Sequence, residues 1–233
     1  MTDGISRPYK IIDIPSPSQE VMTEFDDLPF DEFTGGRQRY RRFSQYRMQF
    51  DKTAARWHLK VLPHRPFVQP RSVNSLVGGV RRPFEPLRID PEPQINAGAL
   101  ALDLDQAHDW QVNVHQCRVV ADPATPGVSV PEGPHRDGHD YGMLAVFARE
   151  NIAGGENQLM PTGGGTPFFT ITLQPMQAIV YEDPAMWHTA TDIVATGDIP
   201  GHRDLWIVAF NRWERRKYGE EFEQVALGAG TDQ

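Results

Sequence analysis

Polar and apolar residues alternate along much of this chain with a period of two, the period of an extended strand. Trp57-His58-Leu59-Lys60-Val61 alternates cleanly, and residues 36–50 alternate more loosely between Arg or Gln and Tyr, Phe or Met. Both stretches predict strands with one wet face. Lys10-Ile11-Ile12-Asp13-Ile14 reads as a short strand. From Trp110 onward strands follow one another at 112–120, 141–148, 168–173, 178–182 and 205–210, with a turn at Gly163-Gly164-Gly165. Helical pattern is sparse. Ser16-Pro17-Ser18-Gln19 predicts a helix start, with Ser16 as N-cap, Pro17 at the first helical position and Gln19 completing a capping box. That helix should end before Pro29. Ala97, Ala99, Leu100, Ala101 and Leu104 suit a second helix within 95–109. Prolines 63, 66 and 70 predict an extended connection, and 83–98 is proline-rich as well.

Many short strands after a modest helical start predict a mainly β, double-sheet jelly roll with a few flanking N-terminal helices, which composition alone does not distinguish from another sandwich. The 233 residues show no internal repeat and no linker, so a single domain over 1–233 is expected. Residues 1–9 and about 219–233 are expected to be loose tails.

Charge narrows the partners. A net charge of −8 argues against nucleic acid or an anionic membrane as the main partner. No stretch reaches the ~18 apolar residues of a membrane span, and Met1–Arg7 carries no apolar leader. The one cysteine, Cys117, excludes an intrachain disulfide and reads as a small buried hydrophobe. A cytoplasmic protein is the expectation.

The chemistry gathers at residues 131–142, Pro-Glu-Gly-Pro-His-Arg-Asp-Gly-His-Asp-Tyr-Gly. His135 and Asp137 stand at i and i+2, which on a strand puts an imidazole and a carboxylate on one face. Together they make two-thirds of a 2-His-1-carboxylate site for Fe(II). His188, 51 residues on (188 − 137), is the best third ligand. His139 is a competing donor, better placed at the rim. Fifteen residues further (203 − 188), Arg203 opens the apolar run 205–210, where an arginine usually meets an anion. Arg212, among Arg215, Arg216 and Lys217, reads as a solvated face. The bare residues leave ordinary polar roles equally open for the triad.

His-x-Asp, about fifty residues, His, about fifteen residues, Arg: this order resembles the 2-oxoglutarate/Fe(II)-dependent dioxygenases. More narrowly, the chain resembles the bacterial free L-amino-acid hydroxylases related to isoleucine dioxygenase. The likeness takes in Gly36-Arg37-Gln38-Arg39-Tyr40-Arg41-Arg42-Phe43-Ser44, Gly78-Gly79-Val80-Arg81, His115-Gln116-Cys117-Arg118, Gly154-Gly155-Glu156-Asn157 and Arg203-Asp204-Leu205. It implies a double-stranded β-helix (cupin-like) with the metal at one open end. His135, Asp137 and His188 would then hold Fe(II), and Arg203 the distal carboxylate of 2-oxoglutarate. O2 would be the oxidant, ascorbate a reductant in vitro, and the reaction hydroxylation of an unactivated C–H bond. The expected substrate is a small free L-amino acid with an aliphatic or otherwise unactivated chain. Its carboxylate would meet Arg118 or one of the Arg37–Arg42 group, with Gln116 and His115 as neighbours. Gly154–Asn157 reads equally as a loop over the site and as a plain turn. Two other readings compete: a cupin-like metal enzyme that does not use 2-oxoglutarate, and a non-catalytic β-sandwich binding module.

Overall fold

The computed structural model describes residues 7–34 and 38–228. In chain order the elements are β1 (Tyr9–Asp13), α1 (Gln19–Thr23), β2 (Arg39–Asp51), β3 (Arg56–Val61), α2 (Glu92–Ala101), β4 (Trp110–Ala121), β5 (Tyr141–Glu150), β6 (Ile152–Gly154), β7 (Asn157–Met160), β8 (Phe169–Ile171), β9 (Gln177–Glu182), β10 (Trp187–Ala190), β11 (Ile193–Ala195), β12 (Gly201–Arg212) and α3 (Glu220–Ala226). The fold is mainly β, a jelly roll with few helices. A seven-stranded antiparallel sheet runs β1-β9-β5-β12-β4-β2-β3, and smaller sheets β10-β7-β8 and β11-β6 complete the roll.

Strand parity divides the large sheet into two buried faces. On β4, Trp110, Val112 and Val114 point to one side, where they join Val21 and Phe25 around α1 and Ile95 and Ala99 of α2. Trp206, fully buried on β12, packs against Phe147 of β5 on that side, ring centres 4.6 Å apart. The opposite parity, His115, Cys117 and Val119 on β4 and Arg203, Leu205 and Ile207 on β12, faces the inside of the roll. The wet face expected for residues 36–50 is therefore internal at Arg39 and Arg41 and reaches solvent only toward Arg47 and Gln49. On β2, Arg39 and Arg41 are buried because they face a cavity, while Arg42, on the other side, is paired with Glu85 and with Asp27 at 3.4 Å. Alternation by itself does not tell water from a polar cavity.

Several expectations shift. Ser18, not Ser16, caps α1, accepting from the Val21 amide at 3.4 Å. The second helix starts earlier than expected, at Glu92, with Pro91 before it. The short strands β6, β7, β10 and β11 carry no clean alternation over three or four residues. Tyr9 opens β1 rather than ending a tail. The looseness expected after Tyr218 gives way to α3, whose Glu223 is buried against Arg65 and lies 3.8 Å from Arg81. The buried Glu223 carboxylate, met by the partly exposed Arg65, ties that helix to the body. Residues 1–6 and 229–233, the outer parts of both expected tails, lie outside the described residues, as do Gly36 and Arg37. Cys117 is fully buried, as expected. No helix among the described residues is long and apolar enough to cross a membrane.

Candidate active site

His135 leaves the loop before β5 and pairs with His188 of β10 through a two-bond antiparallel bridge, the amide-to-carbonyl distances being 3.1 and 2.9 Å. That bridge places the two imidazoles with ring centres 4.5 Å apart. Asp137 lies between them: one carboxylate oxygen is 3.3 Å from His135 Nε2 and the other 3.4 Å from His188 Nε2. One donor atom of each residue lies within 4.8 Å of the other two, the one His/Cys/Asp/Glu cluster of this kind among the described residues. The His135 Nδ1 hydrogen donates to the Gly133 carbonyl at 2.9 Å, which leaves Nε2, facing Asp137, as the nitrogen that could meet a metal.

Asp183 holds the turn that carries Asp137. Its buried carboxylate accepts the amides of Asp137 (3.0 Å), Gly138 (2.8 Å) and His139 (3.0 Å). Gly138 sits at φ +73°, a left-handed conformation that lets three consecutive amides converge on one acceptor. Asp183 Oδ1 is also 3.9 Å from His188 Nδ1.

The charges are strongly perturbed. Burial lowers His135, but the hydrogen bond and charge of Asp137 outweigh it and raise its pKa to about 9. Burial pushes the Asp137 carboxyl up, yet the two imidazoles hold it well below the usual carboxylate range. Burial, reinforced by the charges of Asp137 and Asp183, keeps the Tyr181 phenol protonated far above its ordinary value. Its hydroxyl stands 3.5 Å from His188 Nε2.

The cluster sits on a cavity of about 380 Å³ lined by strands of the seven-stranded sheet, by β10 and by residues of the 67–82 segment. Arg203 lines it too, with its side chain almost wholly buried. The guanidinium makes one long hydrogen bond, Nη2 to Asn157 Oδ1 at 3.4 Å, and its Nε has no partner. Burial and the neighbouring charges of Arg149 and Arg39 depress its pKa to about 9. A buried guanidinium without an anion is an unfilled requirement. Gly155, at φ +69°, makes room for it: a Cβ there would come within 3.4 Å of Arg203 Nη1 and 3.1 Å of Arg149 Nη1. The Gly154–Asn157 stretch is thus half strand and half turn, and packs on Arg203.

A family model described as 2OG-Fe dioxygenase matches residues 22–209. The chain belongs to this family. A bsmA homolog from Methylobium petroleophilum PM1 superposes on this chain with a TM-score of 0.68 and 27% identity, over 82% of this chain and 79% of that one. IDO from Bacillus thuringiensis superposes with a TM-score of 0.66 at 19% identity, covering 83% and 84%. The Fe(II)/(alpha)ketoglutarate-dependent dioxygenase TqaL does so at 0.57 and 15%, covering 88% and 83%. The last two likenesses are of fold. No curated protein matches the chain.

Membership implies Fe(II), 2-oxoglutarate and O2, and the residues present fit them. Two imidazole nitrogens and one carboxylate suit a non-heme Fe(II) with open positions, whereas a structural zinc takes four protein ligands. The unpaired Arg203 suits a carboxylate. Readings that dispense with 2-oxoglutarate do not match this family.

The expected substrate residues divide by parity. His115 lines the cavity, stacked on Phe43 at 4.5 Å and edge-on to Phe67 at 4.4 Å. Burial and the charges of Arg41 and Arg82 keep it neutral well below its usual pKa. Gln116 and Arg118 do not reach the cavity, because both share the parity of Val112 and Val114. Arg118 instead grips buried Asp204 through two bonds of 2.6 and 2.7 Å and reaches Asp26 at 2.7 Å. His139 lies beside the cluster, bound to Asn211, and is not one of the three donors. His202 points away from Arg203, 3.6 Å from Asp204. Sequence reasoning missed Asp183, Tyr181 and Arg82. The period-two parity along β2 would have picked Arg39 and Arg41 out of the arginine-rich stretch.

Proposed function

We propose that the protein hydroxylates an unactivated C–H bond of a free L-amino acid or close derivative. His135, Asp137 and His188 hold the iron, and Arg203, beside Asn157, would hold the distal carboxylate of 2-oxoglutarate, which its planar fork of donors suits. The observation that carries the reading is one cavity with the three-donor cluster and the unpaired Arg203 in its wall. When bound, Fe(II) with 2-oxoglutarate and O2 supplies the oxidising chemistry that breaks a C–H bond. The balance is R–H + 2-oxoglutarate + O2 → R–OH + succinate + CO2.

The chain's own residues bind, orient and keep water out. Leu144, Leu205 and Ile207 give the cavity an apolar wall between the strands. Asp183 fixes the turn under Asp137, and the bridge between the His135 and His188 backbones fixes their spacing. Arginines on β2 offer the substrate carboxylate a charged partner inside the cavity.

The test is a turnover screen of the iron-loaded protein with 2-oxoglutarate across the twenty amino acids. Succinate is quantified and the amino acid is read by mass. A gain of one oxygen atom on a free amino acid, matched to succinate, supports the reading. Turnover only with a carrier-bound or peptidyl residue refutes it.

A further inference from the structure

The cavity holds more positive charge than the co-substrate uses. Besides Arg203, its wall carries Arg39, Arg41 and Arg82, all buried. The three guanidiniums are not equivalent. Arg41 has a carboxylate partner, with Nε 3.2 Å from Asp31 Oδ2, and the other Asp31 oxygen accepts the Phe33 amide at 3.0 Å. What separates them is the anion: Arg39 and Arg82 have no carboxylate within ion-pair distance among the described residues, whereas the Nε of all three, Arg41 included, has no hydrogen-bond partner. Arg82 is held in place by neutral groups: it donates to Gln69 Oε1 at 2.7 Å and lies over the Phe67 ring at 4.5 Å. The backbone bridge between Phe67 and Arg82 fixes that stacking. Register places Arg39 and Arg203 on either side of Val119, level with one another across the sheet. Arg39 therefore stands between the co-substrate arginine and Arg41, which lies two residues further along the same face of β2. Burial and the mutual repulsion of these cations depress both Arg39 and Arg82, the latter to about 10.

The charges of Asp31 and Glu132 oppose this without outweighing it, and neither carboxylate comes within ion-pair distance of Arg39 or Arg82. Asp31 is engaged by Arg41. Glu132, 3.8 Å from His135 Nε2 and 3.5 Å from Asn74 Nδ2, remains to meet an ammonium. A neutral amino acid brings one carboxylate and one ammonium. It would satisfy one of the two unpaired guanidiniums and leave the other buried without an anion, an arrangement that proteins avoid.

We propose that the primary substrate is an acidic amino acid, whose α-carboxylate and side-chain carboxylate are both held by the Arg39–Arg41–Arg82 cluster while its ammonium faces Glu132. The inference rests on the amino-acid reading above and narrows it. The carbon chain between two fixed carboxylates is thereby stretched along the cavity, and the oxidised C–H bond lies on a methylene between them.

The experiment compares isosteric pairs: glutamate with glutamine, aspartate with asparagine, and 2-aminoadipate with its C6 amide. Each is titrated calorimetrically into the Co(II)- and 2-oxoglutarate-loaded protein, and each is assayed for succinate with the Fe(II) form. The diacid of at least one pair should bind about tenfold tighter than its neutral partner, the worth of one charge-assisted hydrogen bond. Arg82→Gln and, separately, Arg39→Gln should erase that preference, weakening the diacid far more than the neutral partner. Circular dichroism of each variant guards against misfolding, and Arg82→Lys should retain part of the preference. Neutral amino acids that bind and turn over while the diacids do not would overturn this inference and leave the amino-acid reading standing. Failure of every free amino acid to bind or turn over would overturn both.

Discussion

Replacing Asp183 with asparagine tests whether the metal turn is held from behind. In the native protein one oxygen of Asp183 takes the Asp137 amide and the other takes the amides of Gly138 and His139. Asparagine is isosteric but carries one acceptor oxygen, so whichever way it turns, its NH2 group confronts at least one backbone N–H. A hydrogen bond to a charged group is worth about 1.5–3 kcal/mol. The variant therefore loses at least that much from the ordered turn, and the turn must be ordered for Asp137 to meet the two histidines. Partners that orient metal ligands typically change metal affinity by about 10–100-fold, or about 1.4–2.7 kcal/mol. Co(II) titrated calorimetrically into the metal-free protein should show a loss in that range for Asp183→Asn. Scanning calorimetry should show the metal-free variant melting lower, by about 2–4 °C per kcal/mol lost. A lower melting temperature with an unchanged Co(II) affinity would refute the argument, since Asp183 would then support the fold without positioning the ligand.

Further predictions follow from particular contacts. Arg203→Lys keeps the charge but not the planar fork, so it should raise the KM for 2-oxoglutarate far more than that for the amino-acid substrate; equal increases would point to a folding defect. His115 is held neutral in the folded state below its ordinary pKa, while the unfolded chain takes up a proton near pH 6.5. The stability it confers is thus complete above pH 6.5 and is lost as pH falls below it, by about 1.4 kcal/mol per pH unit. His115→Phe should flatten the urea-denaturation profile between pH 6.5 and the acid limb by that slope, and parallel profiles would sink the idea. Arg118→Ala leaves Asp204 buried without its cation, so it should cost about 3–5 kcal/mol in denaturant while leaving substrate KM unchanged in whatever folds; a selective rise in KM would return Arg118 to the site.

That His135, Asp137 and His188 lie together was legible because the spacing is local: His135 and Asp137 share a face at i and i+2, and the bridge to His188 needs one distant strand end. That Arg203 faces inward was legible because an arginine opening an apolar strand is conspicuous. The jelly roll could be read from its longer strands, β2, β4, β5, β9 and β12, which are wide enough to show a period. Strands β7 and β10 are four residues each, too short to show one, although β10 carries His188. The Arg118 reading failed for a different reason. Membership in a motif says nothing about parity, and His115-Gln116-Cys117-Arg118 alternates between the cavity and the helical side of the sheet. Asp183 escaped because its function is to accept three backbone amides 44 to 46 residues away in sequence, a relation that no side-chain pattern records.

The account stands on His135, Asp137 and His188 as one iron site that consumes 2-oxoglutarate. The most direct measurement is succinate formed from 2-oxoglutarate by protein reconstituted with Fe(II) and ascorbate, alongside the Fe(II) bound per chain, for the native protein and for His135→Ala, Asp137→Ala and His188→Ala. The account predicts one Fe(II) per native chain and succinate formation, with both lost in each variant that keeps its native circular dichroism. Folded variants that still bind one Fe(II) and form succinate at the native rate would contradict it.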